Sequence, residues 1–259
     1  MSEPLRIERH DTVAVVVLDR PGSRNALNAA LRAALPRVMA ALADDDGVDV
    51  IVLTGADPAF CAGLDLAELG RGDNRIGGVP TDAPPRGPWA PTGKPVIGAI
   101  NGAAVTGGFE LALNCDFLIA SERAAFADTH ARVGVMPGWG LTVLLPEAIG
   151  VRRAREMSLT GNFMGAEEAL QWGLVNRVVP HDQLLPTTLS IAADIAGNDR
   201  AGVRQMLATY AETASTTVAD GWRIEAERGR TWAGDGVDPA GIETRRQAII
   251  ERGRSQIDD

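Results

Sequence analysis

A pair of glycines followed by a glutamate stands in the middle of this chain, at Gly107, Gly108 and Glu110. Glycines let the backbone approach a bound molecule closely, because they have no side chain and adopt angles that other residues avoid. The unpaired amide groups at the start of the helix that follows favour an anion or a developing oxyanion. Glu110 lies one turn inside that helix, so a carboxylate stands near its positive end. The stretch 94–116 therefore predicts the core of an active site.

The residues around this stretch predict the elements that position it. The apolar and β-branched run 95–104 predicts one buried strand that leads to the glycine pair. Residues 12–18 and 50–53 predict two more strands, and Asn28 is a good N-cap for a helix over 29–42. A strand, a helix and a strand in this order predict a mostly parallel sheet with helices packed against it.

Two features interrupt this regular pattern. Pro36 argues against an unbroken helix at its position, because proline lacks the amide proton that a helix interior uses. Residues 70–93 contain 11 Gly or Pro among 24 positions, which predicts a long loop. A loop of this length is either a functional lid or a mobile surface segment, and Trp89 within it is a candidate to cover a ligand.

The C-terminal part of the chain has a different pattern from the rest. Residues from 183 onward predict helices, with breaks near 197–198 and 234–241. This part has few continuous apolar runs, which is typical of an appendage that docks on a core or on a neighbouring subunit. We therefore expect a core over 1–195 and a C-terminal helical region over 196–259.

The composition excludes several classes of protein. The formal net charge of −9 argues against nucleic acid or an anionic membrane as the main partner. Neither the two cysteines (Cys61 and Cys115) nor the three histidines (His10, His130 and His181) have the spacing of a metal site. No apolar run approaches the roughly 18 residues of a membrane helix, and the first ten residues lack a signal-peptide pattern. We expect a cytoplasmic protein without a bound metal.

Four stretches between residues 12 and 180 carry a family resemblance, and each is a weak signal alone. They are RP at 20–21 with NALN at 25–28, FCAGLDL at 60–66, NG at 101–102 with GGFEL at 107–111, and AEEA at 166–169 with WGLV at 172–175. Together and in this order they resemble the crotonase superfamily, the family of enoyl-CoA hydratases and isomerases.

The resemblance implies an α/β fold of the ClpP/crotonase type. In that fold, ββα units wind into a spiral, and a C-terminal helical region packs around a homotrimer; two trimers commonly pair into a hexamer. The resemblance also implies an acyl-CoA substrate, with coenzyme A as part of the substrate and no permanently bound cofactor. A dinucleotide cofactor is the local alternative, but Gly107 and Gly108 lack the full G-x-G-x-x-G spacing.

The same resemblance assigns residues to an oxyanion hole and to a CoA groove. The two oxyanion donors would be the backbone amides of Leu64 and Gly107, and we expect Gly107 to be intolerant of a side chain because it would crowd the thioester. The residues expected to contact CoA or the acyl group are Arg24, Ala26, Phe60, Ala62, Gly63, Asp65, Gly108 and Trp139.

The acid–base residues depart from the family pattern at one position. Glu110 matches the glutamate that acts in the family as the general base on the attacking water. The family hydratases have a second glutamate about twenty residues later, and His130 stands there instead, with no insertion between the flanking motifs. His130 is expected to deliver the α-proton or to orient the water, with Asp128 as its orienting partner; alternatively it weakens hydration and leaves binding intact.

Several functions remain open at this point. The leading hypothesis is an enoyl-CoA hydratase. A second is an acyl-CoA-binding protein with little or no turnover, and a third is another crotonase reaction (isomerisation, decarboxylation or carbon–carbon hydrolysis) that uses His130. A serine peptidase is disfavoured because the chain has no G-x-S-x-G motif. Cys61 is disfavoured as a nucleophile because no basic residue stands close to it in sequence.

Overall fold

The computed structural model describes residues 3–70 and 87–257. Most of the predicted loop, residues 71–86, lies outside this description. The chain divides into two compact units, residues 1–203 and residues 204–259.

The described residues form ten strands and eleven α-helices. The strands are β1 (Leu5–His10), β2 (Val13–Leu18), β3 (Val50–Gly55), β4 (Ala59–Cys61), β5 (Val96–Ile100), β6 (Ala103–Val105), β7 (Phe117–Ser121), β8 (Ala125–Ala127), β9 (Met164–Gly165) and β10 (Arg177–Val179). The helices are α1 (Ala29–Asp44), α2 (Leu66–Gly70), α3 (Gly107–Leu113), α4 (His130–Val133), α5 (Leu141–Ile149), α6 (Val151–Thr160), α7 (Ala166–Trp172), α8 (Leu184–Ala196), α9 (Arg200–Thr213), α10 (Val218–Thr231) and α11 (Pro239–Ile257).

The larger sheet has six strands in the order β1-β2-β3-β5-β7-β10. Only the β1–β2 pair among these is antiparallel, so the prediction of a mostly parallel sheet is confirmed. Strand β2 is buried along its whole length, because its alternate residues pack into two different cores. Val13, Val15 and Val17 belong to the core under α8, whereas the residues between them pack into the main core.

The smaller sheet positions the segments of interest. Its strand order is β4-β6-β8-β9, and β4, β6 and β8 are parallel neighbours. The carboxyl ends of parallel strands lie at one edge of a sheet, so the three segments that follow these strands must come together there. Those segments are 62–66, 106–110 and 128–130, which contain the candidate residues of the sequence analysis.

The prediction of one continuous strand over 95–104 is wrong. The chain leaves the larger sheet after β5, turns at Asn101 and Gly102, and enters the smaller sheet as β6. The Asn101 carboxamide oxygen accepts a hydrogen bond from the Gly55 amide at 3.3 Å. A β-carbon at Gly102 would lie 2.5 Å from the carbonyl oxygen of Pro58, so only glycine fits where the chain crosses between sheets.

Helix α1 continues through Pro36 without interruption. The Asn28 side chain caps it by accepting a hydrogen bond from the Leu31 amide at 2.9 Å, as predicted. Burial of an apolar face outweighs the single backbone hydrogen bond that proline removes. The buried residues of this face are Leu31, Leu35, Met39 and Leu42.

Trp89 has a different role from the one expected of it. Its side chain is only 9% exposed and packs into the main hydrophobic core. The expectation that Trp89 covers a ligand is therefore wrong: an indole of this size stabilises the core when it is buried.

The second unit, residues 204–259, contains most of α9 together with α10 and α11. Helix α10 begins at a Thr217 cap, whose hydroxyl accepts a hydrogen bond from the Asp220 amide at 3.2 Å. Several large apolar side chains of this unit face solvent, among them Tyr210, Val218 and Trp222, which is 71% exposed.

Candidate active site

Gly63 and Gly107 bring the first two segments into direct contact. Gly63 has a φ of +87°, and a β-carbon there would lie 2.7 Å from the carbonyl oxygen of Val105 and 3.5 Å from the Gly107 nitrogen. Both the backbone conformation and the available space therefore require glycine at position 63. Within residues 3–70 and 87–257, neither the Leu64 amide nor the Gly107 amide donates a hydrogen bond to a protein acceptor.

Thr106 sets the direction of the Gly107 amide. Its φ of +53° and ψ of −115° are unusual for a residue with a β-branched side chain. Two contacts with the neighbouring segment hold this conformation: the Thr106 amide donates to Ala127 O at 2.9 Å, and its hydroxyl contacts that of Thr129. Such strain costs about 1–3 kcal/mol and persists where the surroundings impose it.

The Glu110 carboxylate is buried and fixed on one side. Its Oε1 accepts hydrogen bonds from the amides of Gly138 at 3.1 Å and Trp139 at 2.6 Å. Two donors use both lone pairs of that oxygen, so the remaining acceptor capacity of the side chain lies on Oε2. Glu110 Oε2 is 3.4 Å from Nε2 of His130.

His130 lies between two carboxylates. Its Nδ1 is 2.7 Å from Oδ1 of Asp128, which also accepts a hydrogen bond from the His130 amide at 3.1 Å. Burial alone would lower the pKa of His130, but hydrogen bonds to Asp128 and Glu110, together with their negative charges, raise it to about 9. An imidazolium is therefore the prevailing form at neutral pH.

Asp128 remains ionised despite its burial. Burial alone would raise the pKa of this carboxyl group, but hydrogen bonds from His130 and Ser158 outweigh it and keep the pKa below its usual range. The site therefore combines a fixed carboxylate, a charged imidazole and two amides that have no acceptor within the described part of the chain. This set can accept one proton, donate another and stabilise an oxyanion.

Comparison with known proteins identifies the family of this chain. Residues 8–230 match the family model for enoyl-CoA hydratase/isomerase. The chain belongs to the enoyl-CoA hydratase/isomerase family. It is 37% identical over 223 residues to the probable peroxisomal enoyl-CoA hydratase 1 of Arabidopsis thaliana, covering 85% of this chain and 83% of that protein. It is 38% identical over 226 residues to a probable enoyl-CoA hydratase of Rhizobium meliloti, covering 86% and 87%.

Solved structures of the family confirm the predicted fold. The enoyl-CoA hydratase of Mycobacterium tuberculosis is 51% identical, with a TM-score of 0.76, and the match covers 88% of this chain and 98% of that one. Membership of the crotonase superfamily and the α/β fold with C-terminal helices, both predicted from four short motifs, are thereby confirmed.

The family resemblance also assigned residues to a CoA groove, and the structure brings the segment 24–27 against the segment that follows β4. The Leu27 amide, next to the buried Ala26, donates to Gly63 O at 2.7 Å, and Ala62 N donates to Arg24 O at 3.0 Å. Arg24 itself is exposed. The Phe60 side chain is fully buried in the core, so Phe60 can offer only backbone atoms to a ligand.

Asp65 is engaged with the protein rather than open to a ligand. One carboxylate oxygen accepts from the Arg20 guanidinium at 3.1 Å, and the other caps α2 by accepting from the amides of Ala67 at 3.2 Å and Glu68 at 3.4 Å. Burial opposes ionisation of this carboxyl group, yet the Arg20 hydrogen bond and those of the cap hold its pKa below the usual range. The carboxylate of Asp65 thus both binds Arg20 and caps the short helix that begins at Leu66.

The two glycines of α3 have different surroundings. A β-carbon at Gly108 would lie 2.2 Å from the carbonyl oxygen of Cys61, which is backbone and cannot move aside. At Gly107 it would lie 2.9 Å from a methyl group of Leu27 and 3.9 Å from the Trp139 ring. Gly108 is thus the position that the fold restricts most, whereas Gly107 and the Trp139 ring lie side by side at the site.

Four hydrogen bonds of this site are not visible in the sequence pattern. The Gly138 and Trp139 amides that fix Glu110 come from the loop before α5, and no motif marks them. Asn114 holds this loop, because its side chain donates to Glu110 O and Trp139 O, both at 2.8 Å. The signal available in the sequence is an asparagine immediately after a short helix, a position that favours side-chain bonds to free carbonyl groups.

Other chemistry has little support among the described residues. Burial raises the pKa of Cys61 to about 12, so its thiol is a poor nucleophile. No group of three or more His, Cys, Asp or Glu side chains in residues 3–70 and 87–257 is arranged to hold a metal ion. None of the helices described has the length and apolar character needed to cross a membrane.

Proposed function

We propose that this protein is an enoyl-CoA hydratase, which adds water across the 2,3-double bond of an acyl-CoA thioester. One observation carries the proposal: the Glu110 carboxylate and the His130 imidazolium are in contact, at 3.4 Å, and within the described part of the chain the amides of Leu64 and Gly107 donate to no protein acceptor. The reaction needs a base for the water, an acid for the α-carbon and donors for the thioester oxygen, and these groups supply all three.

The oxyanion is stabilised by the Leu64 and Gly107 amides. Attack of water on the β-carbon moves electrons to the thioester oxygen, which becomes an enolate. Both donors are backbone groups fixed by Gly63 and Thr106, so they need no rearrangement when the charge develops. Loss of one such donor typically costs about 2.7–4 kcal/mol of transition-state stabilisation.

Glu110 and His130 move the two protons. Glu110 Oε2 takes a proton from water while the water oxygen bonds to the β-carbon. His130 Nε2 then gives its proton to the α-carbon as the enolate returns to a thioester. The proton on Glu110 passes to His130 across their contact, which restores both groups and leaves the net addition of one water. His130 thereby replaces the second glutamate of the family pattern, with Asp128 holding its ring.

Coenzyme A is part of the substrate in this proposal. The backbone of 60–63 and the neighbouring Ala26 form the groove, and the exposed Arg24 meets the phosphate region of the nucleotide. Trp139, beside Gly107, lines the acyl pocket. The Asp65 carboxylate accepts a hydrogen bond from Arg20 and thereby supports this loop.

The protein is further proposed to be a cytoplasmic homotrimer, or a hexamer formed by two trimers. The exposed apolar side chains of the second unit, such as Trp222 and Tyr210, support this part of the proposal. Sedimentation analysis is expected to give the mass of three or six chains, and Trp222→Glu is expected to shift the protein to smaller species. A wild-type monomer at micromolar concentration would contradict it.

The function is tested with a panel of 2-enoyl-CoA thioesters of increasing chain length. Wild-type protein is expected to remove the conjugated thioester absorbance and to give products heavier by one water in mass spectrometry. His130→Glu is expected to retain hydration, because a protonated carboxyl group can also supply the α-proton. Tight acyl-CoA binding without turnover in the wild type, but with turnover in His130→Glu, would instead indicate a binding protein. A product of unchanged mass would indicate an isomerase.

A further inference from the structure

His130 lies on helix α4, which is too short to fix the position of its side chain without other contacts. Helix α4 has four residues, His130–Val133, and ends at Gly134, which has a φ of +81°. A single helical turn has little stability of its own, because nucleation fixes several residues for one hydrogen bond. The position of the imidazole must therefore depend on what fastens α4 to the rest of the unit.

Arg132 makes that connection with the end of α6. Its guanidinium donates to Thr160 O from Nε at 3.1 Å and from a terminal nitrogen at 3.0 Å, and to Asn162 Oδ1 at 3.0 Å. Between these acceptors lies Gly161, whose φ is +67°; a β-carbon there would lie 2.6 Å from Arg132 Nε. The glycine leaves the space that the Arg132 side chain occupies as it donates to the carbonyl oxygen of Thr160, the last residue of the helix.

Helix α6 also contacts Asp128, the carboxylate that binds the His130 ring. Ser158, one turn or less before Thr160, hydrogen-bonds the Asp128 carboxylate that holds Nδ1 of the imidazole. The end of α6 thus contacts the catalytic segment on both sides of His130, through Asp128 and through Arg132.

We propose that Arg132 is a positioning residue that holds the His130 ring against Glu110 by fastening α4 to the C-terminal end of α6. The proposal rests on the proposed hydratase function for its kinetic consequence, but not for its structural one. Arg132 does not touch the site: its guanidinium faces Thr160 and Asn162, whereas the charged groups that face His130 are Glu110 from α3 and Asp128 from the segment after β8.

The direction of a change in the His130 pKa separates positioning from a charge effect. Removal of a positive charge favours the imidazolium, so loss of Arg132 as a charge alone would raise this pKa or leave it unchanged. Loss of position moves the ring away from its two carboxylates, which lowers the pKa. Only the positioning role predicts a decrease.

The experiment follows the three histidine rings by NMR in wild type, Arg132→Ala, Asn162→Ala and the double variant, with His130→Gln to assign the signal. The midpoint of the His130 titration, which gives its pKa, is expected to fall in both single variants. In the double variant the midpoint should fall no further than in Arg132→Ala, because Asn162 acts through its hydrogen bond to Arg132, which Arg132→Ala already removes. The control is Arg155→Ala, which removes an exposed arginine of α6 and should leave the His130 midpoint unchanged.

The kinetic arm measures hydration of a 2-enoyl-CoA. Arg132→Ala is expected to lower kcat on the order of 10-fold or more with KM changed less than about threefold, because misplacement affects proton delivery more than binding. Arg132→Lys, which keeps a donor for Thr160 O, should restore part of the loss. A midpoint that stays or rises in Arg132→Ala overturns the proposal whether or not the wild type is a hydratase. Absence of wild-type turnover with a falling midpoint rejects the hydratase and retains the positioning role.

Discussion

Two histidines of the larger unit each lie between two oxygen-bearing side chains, but their second partners differ. His130 has a carboxylate at each ring nitrogen, Asp128 at 2.7 Å and Glu110 at 3.4 Å. A carboxylate only accepts hydrogen bonds, so both nitrogens must carry a proton to satisfy both partners. All three side chains are at most 5% exposed, and water does not screen their charges.

His181 has one carboxylate and one hydroxyl. Its Nε2 is 3.0 Å from Asp57, whose side chain is 61% exposed, and its Nδ1 is 3.0 Å from the buried hydroxyl of Ser121. A hydroxyl can donate to an unprotonated nitrogen, so both ring nitrogens of His181 are satisfied with a single ring proton. The difference lies in the second partner: a carboxylate at each ring nitrogen of His130 holds a proton on both nitrogens, against the opposing effect of burial.

The largest expected effect comes from removing the base of the His130 cluster. Glu110→Gln keeps the shape of the side chain but cannot take a proton from water, so we expect kcat for hydration to fall on the order of 10³- to 10⁴-fold. The measurement is the loss of enoyl-thioester absorbance, with Glu122→Gln, an exposed glutamate, as the matched control. Unchanged turnover in Glu110→Gln would remove this carboxylate from the mechanism.

Removing the proton donor, His130, is expected to have the next largest effect. His130→Gln leaves Glu110 and both oxyanion amides in place but has no proton for the α-carbon, so kcat should fall about 10²- to 10³-fold. Steady-state kinetics with the same substrate provide the measurement, and KM should change little. If His130→Gln retains more than half of the wild-type rate, the ring is a structural residue like His181.

How far the sequence predicts this site depends on the range of the contacts. The Gly-Gly-x-Glu motif and its hydrophobic flanks locate Glu110, and the family spacing brings His130 to the same site, where the two side chains are in contact. The start of α1 at Ala29 is predicted to the residue, because the Asn28 cap that begins it is a local signal.

The remaining features depend on distant contacts that no local pattern encodes. The break between β5 and β6 follows from Asn101 bonding to Gly55, 46 residues away. The amides that fix Glu110 come from a loop 28 and 29 residues further on. Trp89 is an aromatic residue in a Gly- and Pro-rich segment, and only the three-dimensional structure reveals that the core accommodates it.

The charge of His130 also predicts a pH dependence of folding. Its pKa is about 9 in the folded protein against 6.5 as the ordinary value, so the folded state binds this proton more tightly. The resulting stabilisation is complete below pH 6.5 and is lost as the pH rises through about 9. Urea unfolding should give a free energy of unfolding that falls over this window by roughly 1–3 kcal/mol. The fall should be smaller in His130→Gln, and an equal fall in both proteins would contradict the assigned charge.

The smallest expected effect is that of His181→Gln. This change breaks the bonds to Asp57 and Ser121, so we expect a loss of about 1–2 kcal/mol in the free energy of unfolding. The hydration rate should stay within about twofold of wild type, because the contacts that His181 makes are with Asp57 and Ser121 and not with Glu110 or the oxyanion amides. A large fall in kcat without loss of stability would show that His181, like His130, takes part in the reaction.

The pH dependence of kcat for hydration of a 2-enoyl-CoA tests the central claim most directly, measured from roughly pH 6 to pH 10 in wild type and His130→Glu. With His130 as the proton donor, the wild-type rate should be steady near neutral pH and decline with an apparent pKa near 9. In His130→Glu this decline should move to lower pH, where a carboxyl group loses its proton. A wild-type rate that is constant or rises through pH 9, or no hydration with any enoyl-CoA, would contradict the account.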